Sequence, residues 1–94
     1  MPPEMGRAID RALRAHGLRE QARHAAGFTV EVLDDVLQGA PGPARRLGRL
    51  ADALNKAARK LEVLDRAPSS IRALDDYADR LRALVPEEVV ANDD

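Results

Sequence analysis

Residues 43–66, PARRLGRLADALNKAARKLEVLDR, decide the fold class. Leu47, Leu54 and Leu61 are seven apart, and so are Leu50, Ala57 and Leu64. Two apolar rows with that repeat form the seam of a helix packed against another helix. Pro43 is a good first-turn residue, and the pattern continues to about residue 66. Ile71, Leu74, Ala78, Leu81 and Val85 then repeat it, with Ser69 or Ser70 as the expected cap. Pro68 and the two serines make a tight break, so an antiparallel helical hairpin is the simplest arrangement.

Upstream, the punctuation predicts three shorter helices. Gly17, Gly27 and Gly39 each follow a stretch of helical period, as glycines just past a helix end do. In the first stretch, about 4–16, Met5, Ile9, Ala12, Leu13 and His16 share a face. In the second, about 18–26, Leu18, Ala22, Ala25 and Ala26 point inward. In the third, about 29–38, Thr29 is the cap. Val30, Val32, Leu33, Val36 and Leu37 make its apolar face, leaving Glu31, Asp34, Asp35 and Gln38 to solvent. Gly48 lies inside the fourth helix, where it costs about 1 kcal/mol relative to Ala. A close helix approach is the expected reason, and a kink is the alternative.

The sequence thus predicts one all-α domain of five helices. Its 94 residues leave no room for two full cores. Alanine (17) and leucine (12) dominate, while Phe28 and Tyr77 are the only aromatics. Such a core suits thin, close helices better than sheets. Without cysteine, disulfides and thiolate chemistry are excluded. No apolar run nears the ~20 residues of a membrane span, and MPPEMGRAIDR lacks the apolar stretch of a signal peptide. A cytoplasmic protein is therefore expected.

The net charge of −1 hides blocks of opposite sign. Residues 29–40 carry Glu31, Asp34 and Asp35 and no base. Residues 41–60 carry Arg45, Arg46, Arg49, Lys56, Arg59 and Lys60 against Asp52 alone. Residues 61–94 carry four arginines and nine acids. A basic block between acidic ones suits either a polyanion footprint or a solvated surface.

The glycine-punctuated helices resemble the helix-turn-helix domain of phage repressor and Cro-like regulators, the xenobiotic-response-element family. The resemblance lies in GRAIDRALRAHGL (6–18), REQARHAAGFTVEVLDDVLQGAPGP (19–43) and ARRLGRLADALN (44–55). It covers about residues 5–55 and implies a helix-turn-helix-like unit over about 4–55; the heptad pattern adds a hairpin extension over about 56–85, and the composition an acidic, frayed tail over 86–94. Gly27 would make the turn, and Phe28 to Gln38 the recognition helix. The sequence departs from the family pattern at Arg23, near a position where a small residue is usual, and in its acidic third helix.

The resemblance implies a small transcriptional regulator or antitoxin-like protein that binds double-stranded DNA as a homodimer. The expected contacts are mainly to phosphates, from Arg45, Arg46 and Arg49, with Arg19, Thr29 and Gln38 beside them. Cations in the first turns of a helix oppose its dipole by ~0.3–1 kcal/mol, which phosphate contacts would explain. Pairing with Asp34 and Asp35 explains them equally well. The alternative function is a protein-interaction module that does not read DNA. It would use Glu31, Asp34 and Asp35 together with Leu61 and Leu64 of the hairpin, whose seam would also join two copies.

No enzyme, metal site or cofactor is expected. His16 and His24 share no ligand spacing. Asp75, Asp76 and Asp79 fit a solvated face with Arg72 and Arg82. Ser69 and Ser70 are the only serines, and both are placed as caps.

Overall fold

A computed structural model describes residues 3–40 and 42–85. These form five α-helices and no strand: α1 Pro3–Ala15, α2 Arg19–Ala26, α3 Val30–Leu37, α4 Ala44–Val63 and α5 Pro68–Ala83. The expected tail at 86–94 lies outside the described residues.

Glycine ends the first three helices as the sequence predicts. Gly17, Gly27 and Gly39 have φ of +67°, +74° and +100°. Past each glycine the next amide donates back five residues: Leu18 to Leu13, Phe28 to Arg23 and Ala40 to Asp35, at 2.8, 3.2 and 2.9 Å. That closure satisfies carbonyls the helix end would leave bare. Thr29 caps α3, its hydroxyl oxygen accepting from the Val32 amide at 3.2 Å.

The second half departs from expectation at its joint. Helix α4 ends at Val63 rather than near 66. The same closure follows it, Arg66 donating to Leu61 at 3.1 Å, but the left-handed position is filled by Asp65 at φ +53°. Neither serine caps α5. Ala67 is its N-cap, left-handed at φ +49°, ψ +62°, with Pro68 opening the helix. Proline fits there because its missing N–H is one the first turn would leave unbonded anyway.

Helices α4 and α5 form the antiparallel hairpin. Arg82 pairs with Asp52 at 2.7 Å, Asn55 donates to Asp75 at 2.7 Å, and Arg59 also pairs with Asp75. Partners late in one helix therefore lie early in the other. Leu47, Leu50, Leu54, Ala57 and Leu61 of α4 are buried in one core cluster with Leu74, Tyr77, Ala78 and Leu81 of α5. Helix α2 packs on α4, while α1 packs against α3 and α5.

Within one chain the two ends of this seam differ. Leu61 is only 1% exposed, whereas Leu64, at the end of α4, is 58% exposed and outside the seam. Ala25, expected inward, is exposed. Gly48 marks no close approach, since a Cβ added there would meet nothing within 4 Å. The close approach is at Gly6, where a Cβ would lie 1.5 Å from the Leu37 carbonyl oxygen. There α1 crosses the end of α3 backbone to backbone.

Candidate functional site

Helix α3 turns Leu33, Val36 and Leu37 into the core and leaves Glu31, Asp35 and Gln38 exposed. Val30, assigned to the apolar face, is 43% exposed. The outward face of this helix therefore carries carboxylates, one amide and one valine, and no cation.

Asp34 is held from behind. Arg19, the first residue of α2, is only 7% exposed, and its guanidinium bridges two carboxylates. Nε donates to Asp10 of α1 at 2.6 Å, and Nη2 donates to Asp34. Asp10 also accepts from Arg14 Nε at 2.7 Å. Burial alone would raise the pKa of Asp10. The hydrogen bonds from Arg19 and Arg14, with their positive charges, outweigh it and hold that carboxyl below its ordinary value. Arg19, expected to face DNA, is thus the tie that joins α1, α2 and α3.

Arg23 has a similar local role. Nη1 donates to the Phe28 carbonyl at 2.9 Å, across the turn between α2 and α3. Nη2 donates to Glu20 at 2.7 Å, and that contact holds Glu20 below its ordinary value. Arg23 thus braces the turn between α2 and α3.

The basic cluster lies elsewhere. Arg45, Arg46 and Arg49 are exposed, and with Pro43 and Ala44 they line a shallow open hollow at the start of α4. The start of α4 adjoins the end of α3, because Val36, Gly39, Ala40, Gly42 and Leu47 line one depression with Leu81 and Leu84. Asp34 does not pair with the cluster, and among the described residues neither Arg46 nor Arg49 has an ion pair.

Of the other expected contacts, Thr29 uses its oxygen as the α3 cap, and Gln38 is the exposed C-cap residue. Among the described residues, no three of His, Asp and Glu are grouped to hold a metal ion, and no helix is long and apolar enough to cross a membrane. Asp75 pairs with Arg59 rather than Arg72, and Asp79 lies 3.8 Å from Arg82.

The sequence reading missed the burial of Arg19. Its signal was an arginine at the start of α2 with acids on α1 and α3, which only the fold brings together. The chain matches no known family model, no characterised protein and no solved structure.

Proposed function

We propose that this chain is a small non-enzymatic regulator that binds double-stranded DNA through the phosphates, using Arg45, Arg46 and Arg49 at the start of α4. One observation carries the reading. Arg45, Arg46 and Arg49 are exposed at the start of α4, where cations oppose the helix dipole; Asp34 is engaged by Arg19, and among the described residues Arg46 and Arg49 form no ion pair. Three guanidiniums around one open hollow suit the oxygens of a phosphate backbone. Base readout by α3 is no part of the proposal. Its carboxylates would face phosphate charge, and a carboxylate's usual base contact is with the cytosine amino group.

The test is an anisotropy titration on a duplex of arbitrary sequence across a salt series. Binding at roughly 10⁻⁶–10⁻⁴ M is expected at physiological salt, tightening as salt falls. Replacing all three arginines by Ala should weaken binding on every sequence alike. It should flatten the log–log salt slope by roughly 2–3, about 0.9 per phosphate contact. Altered sequence preference with an intact slope would contradict the phosphate reading.

A second reading rests on the exposed Val30, Glu31 and Asp35 of α3. It makes that helix a docking face for a basic protein surface. Absence of DNA binding even at low salt would favour it.

A further inference from the structure

A furrow of about 400 Å³ runs between α2 and α4. Leu18, Ala22, Ala25, Ala53 and Ala57 line it, with Gln21 and Lys60 hydrogen-bonded across it. We propose that this furrow docks an amphipathic helix of a partner protein, apolar along its spine and acidic on its flanks. The inference does not rest on the DNA reading, because it uses none of the same residues.

Three observations support it. The first is shape. Ala22, Ala53 and Ala57 are buried in its floor and Ala25 is exposed on its α2 wall, each projecting only a methyl group, so a third helix can approach towards the ~8–10 Å between packed helix axes. The second is charge. The chain has two lysines, Lys56 and Lys60, and both are exposed on the α4 side of this furrow. From α2, His24 and Glu20 face it, and Glu20 is engaged by Arg23. The rim is therefore positive, complementary to a carboxylate-bearing helix.

The third observation is continuity. Along α4 the lining residues Ala53, Lys56, Ala57 and Lys60 recur at spacings of three and four, and Val63 and Leu64 come next on that face. They are 85% and 58% exposed. A leucine and valine open to solvent one turn beyond an apolar furrow extend the surface a partner's spine can cover. A second copy of this chain is the poorer occupant. Helices α1, α3 and α5 direct their large apolar side chains into their own core, leaving few to enter a neighbour.

The experiment uses the full chain and a labelled peptide of roughly 18 residues, long enough to be helical. Leucines at i, i+3, i+4 and i+7 form its spine, with glutamates on the flanks. Saturable anisotropy is expected, weakened at least tenfold by Lys56→Glu with Lys60→Glu. A sister peptide with lysines for glutamates should bind the charge-reversed protein and not the wild type. Ala25→Trp, at an exposed wall position, should block both while leaving the circular dichroism unchanged. The proposal is overturned if the acidic peptide does not bind, or if a scrambled peptide of the same composition binds equally. It is also overturned if binding survives the lysine reversal. Sedimentation showing self-association that the reversal abolishes would assign the furrow to a second copy.

Discussion

Two glycines inside helices show how the same residue can serve opposite ends. At Gly6 an added methyl would fall on the Leu37 carbonyl of the crossing backbone, which cannot swing aside as a side-chain tip can. Gly6→Ala is therefore expected to destabilise the chain by about 3 kcal/mol or more, through displacement of α1 from α3. At Gly48 the space is open, so Gly48→Ala should stabilise by up to about 1 kcal/mol from helix propensity and unfolded-state entropy. Urea denaturation of the two variants tests the pair, and equal effects would refute the contrast. Sequence alone reads both as helix-interior glycines, because the atom that distinguishes them belongs to Leu37, thirty-one positions from Gly6. Arg19 shares this opacity, being a surface-type residue by composition and a buried tie by fold. The tie gives a pH signature. The carboxyl of Asp10 is depressed in the folded chain, so its contribution is present above the unfolded pKa of about 3.9. It is lost as pH falls through the lower folded value. Stability should decline below about pH 4, and Asp10→Asn should lower stability at pH 7 while flattening that acid limb. An unchanged acid limb would show that Arg19 confers no such linkage.

The helices were legible where local chemistry determines them. The glycine stops, the Thr29 cap and the heptad rows up to Leu61 each act within a turn or two of chain, and the fold honours them. The joint between α4 and α5 was not, since two left-handed non-glycine residues, Asp65 and Ala67, carry it. No propensity signal announces an alanine at φ +49°; the tight return of one helix onto the other imposes it. The serines looked like caps because their type favours capping, yet both fall inside α5 after Pro68 has opened it. Strain at an alanine in this region is relieved by glycine, whose freedom there is offset only partly by its unfolded-state entropy. Ala67→Gly should therefore be neutral to stabilising, by up to about 1 kcal/mol, where Gly for Ala in a helix interior would cost about that much. A clear loss of stability in a thermal melt would mean that Ala67 is not held left-handed in solution.

For the whole molecule, the question is what a seam built mostly of leucine and alanine can close upon. Heptad rows specify a partner helix but not whether it lies in the same chain, so the sequence left a dimer open. The fold answers for Leu61. At 1% exposure it is enclosed by its own hairpin, with Tyr77 supplying bulk that leucine and alanine alone would lack. Leu64, one turn further, is 58% exposed and lies past the end of α4. A glutamate at each position should thus separate the two roles. Leu61→Glu places a charge in a sealed apolar seam and should cost several kcal/mol, enough to unfold the hairpin at ordinary temperature. Leu64→Glu should change stability by no more than about 0.5 kcal/mol, as exposed substitutions do. Light scattering beside circular dichroism decides between the alternatives. If the seam joined two chains, Leu61→Glu would give a folded monomer from a dimeric parent. An internal seam requires instead that helicity fall at this substitution, with no folded lower-order species appearing.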